Sequence, residues 1–110
     1  MKRYKIIVSP SAKGQIKAIT AHIRDRLFAP QAAIDTTLAI KDAIASLRAM
    51  PERIPKVWDS PRKGILLRRM VVRNYLVYFW IDETTNCVNV VAVIYGKRDQ
   101  TAQLDETVAR

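Results

Sequence analysis

The chain has 110 residues, 49% of them hydrophobic and 26% charged, which suits one packed domain and excludes a disordered or low-complexity chain. Lys and Arg total 19 against 10 Asp and Glu, a formal charge of +9 that favours acidic or polyanionic partners. One cysteine, Cys87, and one histidine, His22, exclude an internal disulfide, a thiolate zinc site and paired-histidine metal motifs, so neither metal nor cofactor is expected.

In chain order, residues 3–8 alternate as a strand, with Tyr4, Ile6 and Val8 on one face. Ser9-Pro10 ends it and caps a helix, because serine accepts from free amides and proline is tolerated at the first helical position. Ala12, Ile16, Ile19, Ile23 and Leu27 then form one apolar stripe over nearly five turns. Phe28-Ala29-Pro30 breaks that helix. Ala33, Ile40, Ala43, Ile44 and Leu47 form the stripe of a second helix running to about Met50, and so short a connection predicts an antiparallel hairpin.

Prolines 51, 55 and 61 with Asp59, Ser60 and Gly64 mark an irregular loop carrying Trp58. Three strand-like runs follow, Ile65–Val72, Tyr75–Ile81 and Cys87–Tyr95, separated by turns at Arg73-Asn74 and at residues 82–86. The middle run is apolar on both faces and therefore belongs inside its sheet. The expected fold is α+β in the order β-α-α-β-β-β, a helical hairpin packed on a mostly antiparallel four-stranded sheet. A single domain over 1–110 is expected, with 101–110 as a flexible tail. No apolar run approaches the ~20 residues that span a bilayer, and Ile6-Ile7-Val8 is too short for a signal-peptide core, so a cytoplasmic protein without membrane contact is expected.

The cations cluster. Arg62, Lys63, Arg68, Arg69 and Arg73 lie in a stretch without an acid, and Lys97 and Arg98 follow the last strand. Antiparallel pairing would gather them near Tyr75 and Tyr95. Charge for phosphates beside rings for unstacked bases makes an RNA surface of Lys63, Arg69, Arg73, Tyr95 and Lys97. Exposed Lys and Arg also solubilise small domains, and composition alone leaves both readings open. Arginine holds phosphorane charge well but is a poor base, and the lone His22 is remote in sequence from the basic strands. Cys87 and Trp80 read as core residues.

Four strings carry a resemblance: Tyr-Lys-Ile-Ile-Val-Ser-Pro-Ser-Ala at 4–12, Met-Pro-Glu-Arg at 50–53, Leu-Arg-Arg-Met-Val-Val-Arg-Asn-Tyr-Leu-Val-Tyr-Phe at 67–79, and Val-Ile-Tyr-Gly-Lys-Arg-Asp-Gln at 93–100. In this order they resemble the RelE/ParE superfamily of bacterial toxins from type II toxin–antitoxin modules, from Tyr4 to about Gln100. The resemblance implies a toxin that arrests growth and is neutralised by a cognate antitoxin with an acidic, partly disordered segment. That segment is expected over Arg68, Arg69, Arg73 and Arg98, or in place of the C-terminal residues.

RelE-like members are similar to ribosome-dependent nucleases that cut mRNA with two lysines, two arginines and a tyrosine. The resemblance places those roles at Leu66, Arg68, Tyr75, Arg98 and Leu104, which makes Arg68, Arg98 and Tyr75 the candidate catalytic residues of an mRNA interferase. Tyr75 stands where an arginine is expected, and Leu66 and Leu104 cannot do the chemistry. ParE-like members instead poison DNA gyrase. Ribosome-dependent cleavage is the first expectation, gyrase inhibition the alternative, and a degenerate co-repressor partner of the antitoxin the third.

Overall fold

The computed structural model describes residues 2–57 and 66–96. Strand β1 (Lys5–Val8) leads into helix α1 (Pro10–Ala21), and helix α2 (Pro30–Ala45) returns antiparallel to it. Strands β2 (Arg68–Val72), β3 (Tyr75–Asp82) and β4 (Cys87–Tyr95) complete a sheet ordered β1-β4-β3-β2. The β2–β3 and β3–β4 pairs are antiparallel, and β1 runs parallel to β4 with Lys5 opposite Cys87 and Val8 opposite Val90. The fold is thus the expected helical hairpin on a mostly antiparallel sheet, with β3 in its interior.

Local chemistry explains the joints. The Ser9 hydroxyl accepts from the Ala12 amide at 3.1 Å, and Pro10 opens α1 where no amide partner is needed. Strand β4 outruns β1 by several residues, and Gln15 fills the gap by accepting from the Val93 amide at 2.7 Å. The Thr20 and Thr37 hydroxyls bond to each other where α1 and α2 meet, one donating to the other, which keeps its own proton for a carbonyl one turn back in its helix. Near the start of the chain, Lys2 and the Tyr4 hydroxyl both donate to Glu83, tying the strand's entry to the β3–β4 turn.

The main core lies between helices and sheet, where Ile40, Leu47, Val77, Phe79, Val88 and Val90 are fully buried. A second apolar cluster, Leu67, Leu76, Tyr78, Ala92 and Ile94, occupies the opposite face of the sheet, as the alternation along β3 requires. Cys87 is buried, and Trp80 is half-buried against this second cluster.

Four expectations need correction. Strand β1 begins at Lys5 rather than residue 3, and β2 at Arg68, with Leu66 and Leu67 outside it. Helix α1 does not continue regularly to Leu27. His22–Arg26 form a wider π-helical turn, closed by the Leu27 amide on the His22 carbonyl at 3.2 Å. That turn changes the phase of the stripe: Ile23 stays buried, but Leu27 is 59% exposed. Finally, α2 ends at Ala45 and a tighter 3₁₀ turn, Ser46–Arg48, delivers Leu47 to the core.

Candidate functional site

The β2–β3 hairpin turns at Arg73-Asn74, where Arg73 adopts a left-handed conformation with φ of 55°. At this end of the sheet Tyr75 and Tyr95 are register partners, with ring centroids 5.6 Å apart at a 56° tilt. Arg73 donates to the Thr36 hydroxyl of α2 at 3.4 Å. The Gly96 amide donates to the Asn74 carbonyl at 2.8 Å, and a Cβ at Gly96 would sit only 3.2 Å from that oxygen. A side chain there would push the two backbones apart by a few tenths of an ångström, so glycine suits their close approach. Burial, and then the neighbouring Tyr95, raise the Tyr75 phenol above its ordinary value, so Tyr75 is a hydrogen-bond donor and not a base at neutral pH.

Arg68 lies elsewhere. It pairs with Phe79, so it shares a sheet face with Tyr75 but stands four residues further along β3, about 13 Å away at strand spacing. Its guanidinium donates to the Ile54 carbonyl at 2.6 Å and the Glu52 carbonyl at 3.1 Å. These carbonyls belong to the short 3₁₀ turn Pro51–Arg53 and its exit. Arg68 therefore fastens the edge strand to that turn, together with a bond from the Val57 amide to the Leu67 carbonyl at 2.8 Å. Arg69 pairs with Tyr78 and so belongs to the other face of the sheet.

Of the candidate residues, the fold brings together Tyr75, Tyr95 and Arg73. It does not bring Arg68 or Arg69 to them. Lys63, Lys97 and Arg98 lie outside the described residues, as do Trp58, Ile65, Leu104 and the proposed tail at 101–110. Leu66 is described and is 40% exposed. His22 is exposed in the π-helical turn. Among the described residues no group of three or more His, Cys, Asp or Glu side chains gathers where a metal ion would bind, and no helix is long and apolar enough to cross a membrane.

A second cationic region escaped sequence reasoning. Helices α1 and α2 leave between them an open groove of about 770 Å³. Val8, Ile16 and Ile44 line its apolar part, and Lys13, Lys17, Arg24 and Lys41 line it with positive charge. Among the described residues no acid lines the groove. The Lys13–Lys17 spacing was a visible signal, but Lys41 joins them only through the hairpin.

With the fold established, the wider comparisons identify its class. The chain belongs to the family described as the ParE toxin of the type II toxin–antitoxin system, parDE, which matches residues 6–100. Its fold is similar to a chain of the chromosomal ParDE system from Pseudomonas aeruginosa, with a TM-score of 0.68 and 14% identity over 84% of this chain and 96% of that one. It is also similar to a chain of the archaeal RelE–RelB complex from Pyrococcus horikoshii, with a TM-score of 0.59 and 12% identity over 87% of this chain and 98% of that one. A chain of the toxin–antitoxin complex RelBE2 from Mycobacterium tuberculosis gives 0.56 and 18% over 86% and 93%. At these identities the likeness establishes the fold alone. No curated protein sequence matches.

Proposed function

We propose that this type II toxin arrests growth by inhibiting DNA gyrase, without cleaving RNA, and that a cognate antitoxin neutralises it. The observation that carries this reading is the employment of Arg68. A transition-state clamp must aim its charge at a developing phosphorane, whereas this guanidinium is held by two backbone carbonyls about 13 Å along the strand from Tyr75. Tyr75, with its raised phenol, supplies no base, and Leu66 stands where the nuclease pattern has a lysine. The match to the ParE family over residues 6–100 supports the same reading.

The RNA-cleaving alternative retains one observation in its favour, the Tyr75–Tyr95 ring pair beside Arg73, which suits an unstacked base and its phosphate. Two parallel assays separate them. Purified toxin is added to a gyrase supercoiling reaction and to cell-free translation of a defined mRNA read by primer extension. Loss of supercoiling with linear DNA accumulating, and an intact transcript, is the expected result. Ribosome-dependent cuts that disappear in Arg98→Ala, with gyrase unaffected, would overturn the proposal in favour of the nuclease.

A further inference from the structure

Helix α2 is apolar on two sides. Ala33, Thr36, Ile40 and Ile44 face the core and are buried. Gln31, Ile34, Leu38 and Ala45 follow at intervals of three, four and seven residues, which places them together on the side turned away from the core. Ile34 is 52% exposed and Leu38 53%. Leu27 and Phe28, just before α2, are exposed as well, so four of the eight exposed large hydrophobics among the described residues lie within twelve residues of sequence. A concentration of that kind marks a contact surface rather than scatter. Charge then divides the flanks of the stripe. Asp35 and Asp42 border it on one side and Lys41 on the other, all three exposed. Asp35 accepts from the Gln31 amide at 3.0 Å but keeps its charge, and none of the three makes an ion pair among the described residues.

We propose that this outer face of α2 joins two copies of the chain, with their α2 helices running parallel about a two-fold axis. An apolar stripe with one acidic and one basic flank is complementary to a face of its own kind. In a parallel two-fold pair the acidic flank of each helix meets the basic flank of the other, and Lys41 comes level with the partner's Asp42 on both sides of the stripe. Antiparallel packing would set acid against acid. Other occupants suit one flank only. An acidic helix is repelled by Asp35 and Asp42, a basic one by Lys41, and a polyanion leaves the stripe uncovered. The charges on α2 come to −1 in a chain of +9, so two copies approach here with less repulsion than their net charges imply. Helix α2 has 16 residues, about 24 Å, and a contact confined to it falls short of the about 1,200 Å² at which stable dimers begin. The dimer is therefore weak, with a Kd of about 10–100 µM. The inference is independent of the gyrase reading.

Sedimentation velocity of the full-length chain tests this from about 5 to about 500 µM, at about 0.3 M salt to screen the repulsion between two positive chains. Expected is a reversible passage from monomer to dimer across that range. Leu38→Glu should raise the Kd about tenfold or more. Val71→Glu, at a residue 68% exposed on the edge strand β2, should change it less than about twofold. Lys41→Asp and Asp42→Lys should each weaken the dimer about threefold or more, and Lys41→Asp/Asp42→Lys together should return it to within about twofold of the wild type. Ile34→Cys and Ala45→Cys should each form a disulfide with its own copy under mild oxidation, which only parallel helices permit at both positions. Circular dichroism melts confirm that every variant folds. A wild type still monomeric at about 500 µM, a dimer that Leu38→Glu leaves intact, or a double charge variant no better than the single ones would overturn the proposal. So would cross-linking at one cysteine alone. If Val71→Glu dissociates the dimer and Leu38→Glu does not, the copies meet along β2 instead.

Discussion

The two cationic regions of this molecule differ in how their charges are employed. Along β2 the arginines are densest in sequence, yet Arg68 is bonded to two backbone carbonyls and Arg73 to a threonine of α2. On the helical hairpin the lysines are sparser, and Lys13, Lys17 and Lys41 have no acid partner among the described residues. Density of charge in a sequence thus says little about availability. An arginine beside unpaired carbonyls becomes a structural clamp, while a lysine at a groove between helices stays available to a ligand.

Removing what the two regions share should have the largest effect. Ile40 is fully buried between α2 and the sheet, and Ile40→Ala should cost about 2–5 kcal/mol in guanidinium titration. A loss under about 1 kcal/mol would mean that hairpin and sheet are not held by a common core. The comparison itself is tested by single cation deletions. Arg68→Ala should cost about 1–3 kcal/mol by removing a charged donor from two carbonyls, and Lys17→Ala should stay within about 0.5 kcal/mol. Equal costs would erase the distinction between clamp and open surface.

A smaller change is expected at the tip of the hairpin. Phe28 is 86% exposed and holds φ at 51°, a conformation that a bulky side chain resists. Phe28→Gly should raise stability by about 0.5–1 kcal/mol, read as a higher melting temperature. A fall would mean that the exposed ring makes contacts that outweigh the backbone strain.

The smallest effect concerns a cation that already has its acid. The Lys2 hydrogen bond holds Glu83 below the ordinary carboxylate value of 4.5, so the contribution of Glu83 is complete above that pH and lost as pH falls through its lowered pKa. The melting difference between wild type and Glu83→Gln should therefore be small at neutral pH and vanish on acidification. A difference that grows in acid would contradict the assigned direction.

Much of the fold was legible because its signals are local. The Ser9-Pro10 cap, the stripe of α2 and the two-faced apolar run of β3 each lie within a short window, and each stands where the spacing put it. Leu27 was misplaced because no residue pattern announced the π-helical turn before it. The parallel pairing of Lys5 with Cys87 had no local signal either, since it joins opposite ends of the chain. The site was less legible than the fold. Tyr75 and Tyr95 met as their strands implied, but the role of Arg68 depends on carbonyls left open by the turn at Pro51–Arg53, and the groove depends on lysines from two helices.

The sheet order also has a consequence for how the toxin comes into being. Within the described sheet β1 pairs only with β4, so the first of the four strands to leave the ribosome has no sheet neighbour until the last of them has been made. Synthesis runs from the N-terminus, and β1 and the hairpin wait with their apolar faces uncovered until Cys87–Tyr95 arrives. A nascent chain, or one cut short before Cys87, is therefore left without the strand against which β1 closes.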